Sequence, residues 1–459
     1  MSFIKSKKQL AITVLFLLIL LFGIVISFSA IDTLILKYVE FFSHKTLRNP
    51  ARWIDIIQNT SALVIFALSV TYFFCYIPYG VTIKARITEI LGQYKIEYAT
   101  KRTGILFLGT VFFLFFAYFN VITANFFYSD DLFRNYGGNR SWIGFSRYIS
   151  EFGSIFIHNS LKLTDIAPLT QLIAILIAAL TVLIVSISLT DSIKIKNLFA
   201  LTLIFIAPFY AENMSYRFDA PYMSMSLFFT SVPFLFKRDR VSFCCVSVIS
   251  LLLTCISYQA ALPLYVLAVI YLFVKSFLCK KDFSDSWKFV LCSVASFVAA
   301  MLIFKLFFMN KMTNNADDYF STKINIFSFF TNCVTYIKLT FTQNGGLLTK
   351  VLFLISIVLL VFSVSLCTRQ NKFLSLILVS ASIVISYALS FGPYLVFERP
   401  VFALRAFMGF NVLIAFIVLA LFEMQTRHNS LENVKNSVAS IFIYSCIVFL
   451  FAYGNVLKN

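Results

Sequence analysis

The sequence predicts an all-α polytopic integral membrane protein with about 11–13 transmembrane helices. Three observations lead there. Of the 459 residues, 60% are hydrophobic and 13% are charged, against roughly 25% charged in a soluble domain. The mean hydropathy is +0.88. Apolar runs of about 20 residues recur from end to end, the length a helix needs to cross the hydrocarbon core of a bilayer. Only helices and closed barrels span lipid, and these runs lack the two-residue alternation of barrel strands.

In chain order the spans fall at roughly 9–29, 60–82, 104–126, 168–190, 197–211, 220–236, 241–257, 259–278, 289–309, 348–367, 373–392, 404–424 and 437–455. The first follows Lys5, Lys7 and Lys8. It is longer than the apolar core of a cleavable signal peptide, so it reads as an uncleaved helix despite the small-x-small Ser27-Phe28-Ser29. Every second loop is basic: Lys84 to Arg102, Lys194 and Lys196, Lys237 to Arg240, Lys280-Lys281, Arg369 to Lys372, and Arg427 to Lys435. The positive-inside bias places these in the cytoplasm. The alternate loops then share the outer side. They are the Asp130-Asp131 loop, the Glu212–Asp219 loop, the Tyr258-Gln259 turn, residues 310–347 and the Pro393–Arg405 loop.

The formal charge is +18. Spread over many short loops, it fits anionic membrane lipids and lipid-linked phosphates, not nucleic acid. The nine cysteines form no disulfide framework, and the three histidines are too far apart for a zinc site. No P-loop, dinucleotide fingerprint, HExxH or GxSxG elbow is present. Two outer stretches mix aromatic and basic residues as interfacial helices do. Residues 30–59 carry Phe41, Phe42, Trp53, Lys45, Arg48 and Arg52; residues 310–347 carry Phe327, Phe329, Phe330 and Lys338.

Chemistry concentrates in the outer loops. Asp130 and Asp131 stand just past the 104–126 span, followed by Arg134, Gly137-Gly138, Trp142 and Arg147. Adjacent side chains cannot both face one pocket on a helix, so one carboxylate points inward and one supports it. An inward carboxylate acts as a general base or binds a divalent cation; the plain alternative is a helix cap. The second segment, Glu212 to Asp219, adds Tyr216 and Arg217. Arg217 suits bidentate phosphate binding. Asp219 would hold Arg217 or contact a sugar hydroxyl. Tyr258 and Gln259 interrupt an apolar stretch, as residues satisfied inside a bundle or lining a cavity do. Arg399 and Arg405 offer further phosphate contacts, or snorkel to headgroups.

These residues resemble a known family. Tyr128-Ser129-Asp130-Asp131-Leu132-Phe133-Arg134, followed by Gly137, Trp142 and Arg147, is similar to the opening motif of the GtrII-type O-antigen glucosyltransferases, serotype-converting enzymes of enteric bacteria and their phages. Glu212 to Asp219 with Pro221 and Met223, then Tyr258-Gln259, then Arg405 to Phe410, match further signatures in the same order. The resemblance covers residues 101–410. It departs from the family in about 100 additional N-terminal residues with two spans, and in Phe145-Ser146-Arg147-Tyr148 where members have Gly-Arg-Pro-Leu.

The resemblance implies a GT-C-like helical bundle with outward-facing catalytic loops. It implies a two-helix extension over residues 1–100, a catalytic core over 101–425, and a cytoplasmic loop with a last span over 426–459. The implied enzyme is an inverting glucosyltransferase of the bacterial inner membrane, with its active site facing the periplasm. It would use a polyprenyl-phosphate-linked donor (undecaprenyl phosphate in bacteria) and modify lipid-linked O-antigen of lipopolysaccharide, with a donor synthase and a flippase as partners. Asp130 or Asp131 would be the base, and Arg217, Arg399 or Arg405, with Arg134, would meet the leaving phosphate. Two alternatives stay open: transfer of another sugar or to another acceptor, such as lipid A, and transport of a lipid-linked glycan.

Overall fold

The computed structural model describes residues 32–43, 50–279, 283–309, 321–343, 346–368, 371–424 and 429–458, with isolated positions 13, 16, 18 and 19 before them. Nearly all of the first expected span, and the polar stretch 310–320 with Asp317-Asp318, lie outside the described residues. The protein is an all-α polytopic membrane protein. Seven described helices are long and apolar enough to cross a membrane: Lys101–Thr123, Leu169–Thr190, Gln259–Leu278, Phe283–Phe308, Leu347–Cys367, Lys372–Leu389 and Asn429–Lys458. Two bent pairs raise the number to nine, and three shorter apolar helices, Ala220–Phe236, Arg240–Cys255 and Met408–Glu423, complete the set.

The chain divides into two compact units. The first comprises residues 1–98, 143–146 and 301–311. In it, Thr60–Tyr76 and Pro78–Tyr98 meet at 87°. Pro78 cannot continue the backbone ladder. Gly80 permits the turn, because a Cβ there would lie 2.1 Å from the carbonyl oxygen of Phe73. Gln58 donates to Asp32 at 2.9 Å, tying the Asp32–Ser43 helix to the next.

The second unit holds the remaining residues and all the candidate site residues. Helices in lipid gain little from the hydrophobic effect on pairing, so close packing of small residues and interhelical hydrogen bonds hold them together. Ala220–Ser231 lies along Leu169–Thr190 with Ser224, Ser226, Thr230 and Ser231 fully buried. The last helix, Asn429–Lys458, packs on Lys101–Thr123 within this same unit. Gly454 sits against the backbone of Asn120 and Val121 with no room for a Cβ. The Asn120 amide donates to the Phe451 carbonyl at 3.1 Å and to Asn455 at 3.0 Å.

The span expected at 197–211 is broken. Ile195–Ile206 bends by 49° into Pro208–Ser215. Pro208 has no N–H for the carbonyl of Ile204, four residues back. Asn411, from Met408–Glu423, supplies the missing donor: its amide reaches the Ile204 carbonyl at 3.4 Å and the Ala207 carbonyl at 3.3 Å. The break turns the Ala211–Ser215 helix, with Glu212 on it, across the end of the unit. A second interruption separates Arg240–Cys255 from Pro263–Leu278 and presents Tyr258 at the same end. Gly409 allows this end to close, since a Cβ there would meet the Ser390 carbonyl at 2.1 Å and the Pro263 side chain at 2.5 Å.

Described basic residues of this unit gather at its other end. Lys237 pairs with Asp191, Arg240 with Asp285, Lys275 with Glu423 and Lys435 with Glu432. Two ends of different character follow from the alternation of loops in the sequence.

The close approaches set a stability test. Gly454→Ala and Gly409→Ala should each destabilise the protein by about 1–3 kcal/mol through overpacking. Gly109→Ala, on an exposed face with nothing within 4 Å of the new methyl, should be neutral or slightly stabilising. Thermal unfolding of the three variants in detergent checks this.

Candidate functional site

Asp130 and Asp131 open the short helix Asp131–Gly137 and point to different environments. Asp131 is fully buried. Its Oδ2 accepts the backbone N–H of Arg217 at 2.9 Å and of Tyr128 at 3.2 Å. Burial pushes its carboxyl up to about 7. Asp130 occupies the cap position, yet its carboxylate caps no backbone group. It is exposed, and its charge acts on Tyr216 and Arg405.

Two sets of charged side chains fix the loops. In the first, Arg217 is 5% exposed and has a bond on each of its three guanidinium nitrogens. Its guanidinium bonds Asp165 and Asn125, its Nε donates to the Phe126 carbonyl at 3.1 Å, and it lies 4.3 Å over the Phe127 ring. In the second, Arg134 pairs with Asp219 at 3.2 Å, bonds the Arg140 carbonyl and covers the Trp142 ring at 4.1 Å. The Trp142 indole N–H donates to Asp219, and its backbone N–H donates to Glu151 at 2.9 Å. Arg140 pairs with Glu151 at 3.5 Å. Buried ions survive only when paired and hydrogen-bonded, so these groups serve as struts. The expectation that Asp219 holds Arg217 is corrected: Asp165 takes that place, and Asp219 faces Arg134.

A third set is partly open to solvent, through Asp130, Arg147 and Arg405, while Glu212, Tyr216 and Tyr258 are buried. Glu212 accepts the backbone N–H of Arg405 at 2.7 Å and its guanidinium at 3.1 Å. Arg405 also donates to the Tyr216 hydroxyl, which in turn donates to Glu212 at 3.5 Å. Burial keeps the Tyr216 phenol protonated. The Arg405 side chain remains 31% exposed. The Tyr258 hydroxyl donates to the Arg405 carbonyl at 3.4 Å, and the Arg147 guanidinium covers the Tyr258 ring at 4.4 Å. The linked set therefore runs Tyr216, Glu212, Arg405, Tyr258, Arg147, with Asp130 exposed nearby, along four separate loops. Gln259 follows Tyr258 in the Gln259–Ala261 turn. Arg399 is exposed in the short strand Phe397–Arg399, paired with Ser321–Ile324, and has no described contact with this set.

The motifs did not single out Asn125, Asp165, Arg140, Glu151 or Tyr453. Tyr453, on the last helix, bonds the Ser215 and Tyr128 hydroxyls and so bridges the two segments flanking Asp130 and Glu212. Asn125, at φ +54°, is the one with a local signal, a residue type tolerant of left-handed backbone ahead of the motif. Among the described residues no group of three His, Cys, Asp or Glu side chains is placed to hold a metal ion. A cavity of about 450 Å³ lies between Pro263–Leu278, Leu347–Cys367, Lys372–Leu389 and Met408–Glu423, and none of the candidate residues lines it.

Asp131 should leave a pH signature. Between pH 4 and 7 the folded protein keeps a proton that the unfolded chain has released. The Asp131 contribution to stability therefore falls as pH rises through that window. Asp131→Asn keeps an oxygen for both N–H donors and cannot titrate. The stability of this variant relative to wild type should rise from pH 5 to pH 8 in thermal unfolding. A difference independent of pH would show that Asp131 does not titrate there.

Comparison with known proteins gives two matches. The sequence signature of the family described as Glucosyl transferase GtrII matches residues 119–416, about two thirds of the chain and every residue of the open set. The chain is also 26% identical over 210 residues to an uncharacterized 55.3 kDa protein in the gtrB 5' region of Salmonella phage P22. The match covers 45% of this chain and 43% of that protein, so it spans less than half of the relative's length. No solved structure matches. The chain belongs to the GtrII glucosyl transferase family.

Proposed function

We propose that this glucosyltransferase moves a glucosyl group from a polyprenyl-phosphate-linked donor to lipid-linked O-antigen, at the periplasmic face of the bacterial inner membrane, with inversion at the anomeric carbon. The observation that carries the reading is the division of labour between adjacent carboxylates: Asp131 is buried as a strut, and Asp130 stands exposed beside Arg405.

Asp130 is the general base. As the acceptor hydroxyl attacks the anomeric carbon, its proton passes to the Asp130 carboxylate. The bond from that carbon to the donor phosphate oxygen breaks on the opposite face, through a transition state with oxocarbenium character. Charge then develops on a phosphate monoester still attached to lipid. Arg405 meets it with the donors that Glu212 and Tyr216 leave free. Arg147, held over Tyr258, is a second cation for the same phosphate. In a low-dielectric surface layer these charges act more strongly than in water. Arg134 and Arg217 are consumed in struts and take no part in leaving-group binding. The basic far end suits the cytoplasmic side. That orientation puts Asp130 outside, where a flipped lipid-linked sugar would arrive from its synthase and flippase.

Membranes carrying each variant, supplied with polyprenyl-phosphate glucose and lipid-linked O-antigen, test the assignment. Asp130→Asn should lower turnover by roughly 10²–10⁴-fold, the usual worth of a positioned base. Asp131→Asn, at equal expression, should stay within about tenfold of wild type, the effect of a strut kept in place by an isosteric amide. Arg405→Lys should cost about 10²-fold by losing the forked donor geometry. Full activity in the Asp130→Asn protein would sink the mechanism. Unchanged O-antigen sugar composition in cells with and without the gene would move the acceptor elsewhere.

A further inference from the structure

The helix Ser328–Lys338 has two unlike faces. One is gripped by the protein. Asn332, 4% exposed, points its amide at three backbone carbonyls, those of Phe397 at 2.9 Å, Leu395 at 3.0 Å and Tyr394 at 3.3 Å. Tyr336, 1% exposed, donates its hydroxyl to the Val401 carbonyl at 3.1 Å and stacks on Phe391 at 4.3 Å. The backbone N–H of Asn325 adds a bond to the Val396 carbonyl at 2.8 Å. The helix and the segment leading to Arg405 are thus one body.

The other face is bare and apolar. Phe327 is 91% exposed, Phe330 77%, Val334 66% and Ile337 48%, with Ile326 at 75% just before them. Steps of three and four residues align these side chains in one stripe. Such a stripe is costly in water and marks an interaction surface. Three observations identify what covers it. The helix lies in the connection between the membrane-spanning helices Phe283–Phe308 and Leu347–Cys367, so it sits where the chain leaves the lipid. Its own connection to the second span is short. Residues 321–350 contain no acidic side chain and carry Lys323, Lys338 and Lys350. Apolar stripe, a basic segment free of acidic residues and position together are the features of a helix lying in the plane of a membrane surface.

We propose that Ser328–Lys338 lies in the lipid interface at the site end of the bundle, with Phe327, Phe330, Val334 and Ile337 in the acyl region. Through Asn332 and Tyr336 it holds residues 394–405 at a fixed depth. The inference concerns a lipid surface and stands whichever sugar or acceptor the enzyme uses.

Phe330→Trp, in a chain carrying Trp53→Phe and Trp287→Phe, reports the depth once the signal of that parent chain, which keeps the buried Trp142, is subtracted. The protein is reconstituted in phosphatidylethanolamine–phosphatidylglycerol vesicles containing phosphatidylcholine brominated along its chains. The introduced indole should be quenched by the brominated lipid and shielded from aqueous acrylamide. Ready quenching by acrylamide without quenching by bromolipid would place the stripe in water. Protection from both would mean that protein covers it, and either result overturns the proposal. The coupling has its own readout. In Phe327→Ser, Phe330→Ser protein, backbone hydrogen exchange over residues 394–405 should rise by about tenfold, with Leu169–Thr190 unchanged as the internal control. Unaltered exchange over 394–405 would show that the helix does not hold that segment.

Discussion

The acceptance of the Arg217 backbone N–H by the buried Asp131 carboxylate is the constraint on which the site depends. It joins two loops that are 86 residues apart in the chain. The side chains on either side then fall into place. Asp130, one residue before, is turned outward. Tyr216, one residue before Arg217, is turned toward Glu212 and Arg405. A backbone group cannot rotate away as a side chain can, so the bond sets the register of both loops at once. The burial of Asp131, with the Asp219 charge nearby, explains the upward push on its carboxyl. The site is built around a buried carboxyl, beside one that stays exposed.

The charges sort themselves by what they already hold. The five arginines at this end outside the short strand, Arg134, Arg140, Arg147, Arg217 and Arg405, look alike in the sequence. Arg217 is spent on Asp165, Asn125 and the Phe126 carbonyl; Arg134 on Asp219, the Arg140 carbonyl and the Trp142 face; Arg140 on Glu151. Removing one partner from such a set would leave an unpaired buried ion, costing several kcal/mol. These pairs therefore fix the loops that carry them. Arg405 differs, because Glu212 orients it while a third of its side chain stays open. A cation that is both oriented and accessible is the arrangement an anionic leaving group needs, since the cost of positioning it has been met before the reaction begins.

The sequence made the membrane architecture readable because lipid leaves few choices. Each described span appears where an apolar run of the required length occurs, and the alternation of basic loops told which loops would meet. Those loops do meet: Asp131 with Arg217, Glu212 with Arg405, Arg147 with Tyr258. The rule that adjacent side chains diverge required one of Asp130 and Asp131 to be buried and left open which. That was settled by the Arg217 N–H, a group with no sequence signature. Partners such as Asp165 for Arg217, 52 residues away, obey no periodicity. Tyr453 was hidden for another reason, since it lies on a helix whose apolar run reads only as a span. The break at Pro208 was missed because hydropathy averages across it, although a proline inside an apolar run was in plain view.

That break is where membrane physics and site construction meet. A helix interrupted within lipid leaves carbonyls without donors, tolerable only where protein supplies substitutes. Asn411 does so for Ile204 and Ala207. The chain can then turn by 49° and lay Glu212 across the end of the bundle instead of carrying it straight out into water. In the bent chain Glu212 accepts both the backbone and the side-chain donors of Arg405. The same logic applies at Tyr258, where the interruption before Pro263 brings a hydroxyl to the Arg405 carbonyl. Both breaks converge on one arginine. The polar residues buried beneath the surface, Asn411 above all, therefore act at a distance: they satisfy the backbone at the break that brings Glu212 to Arg405.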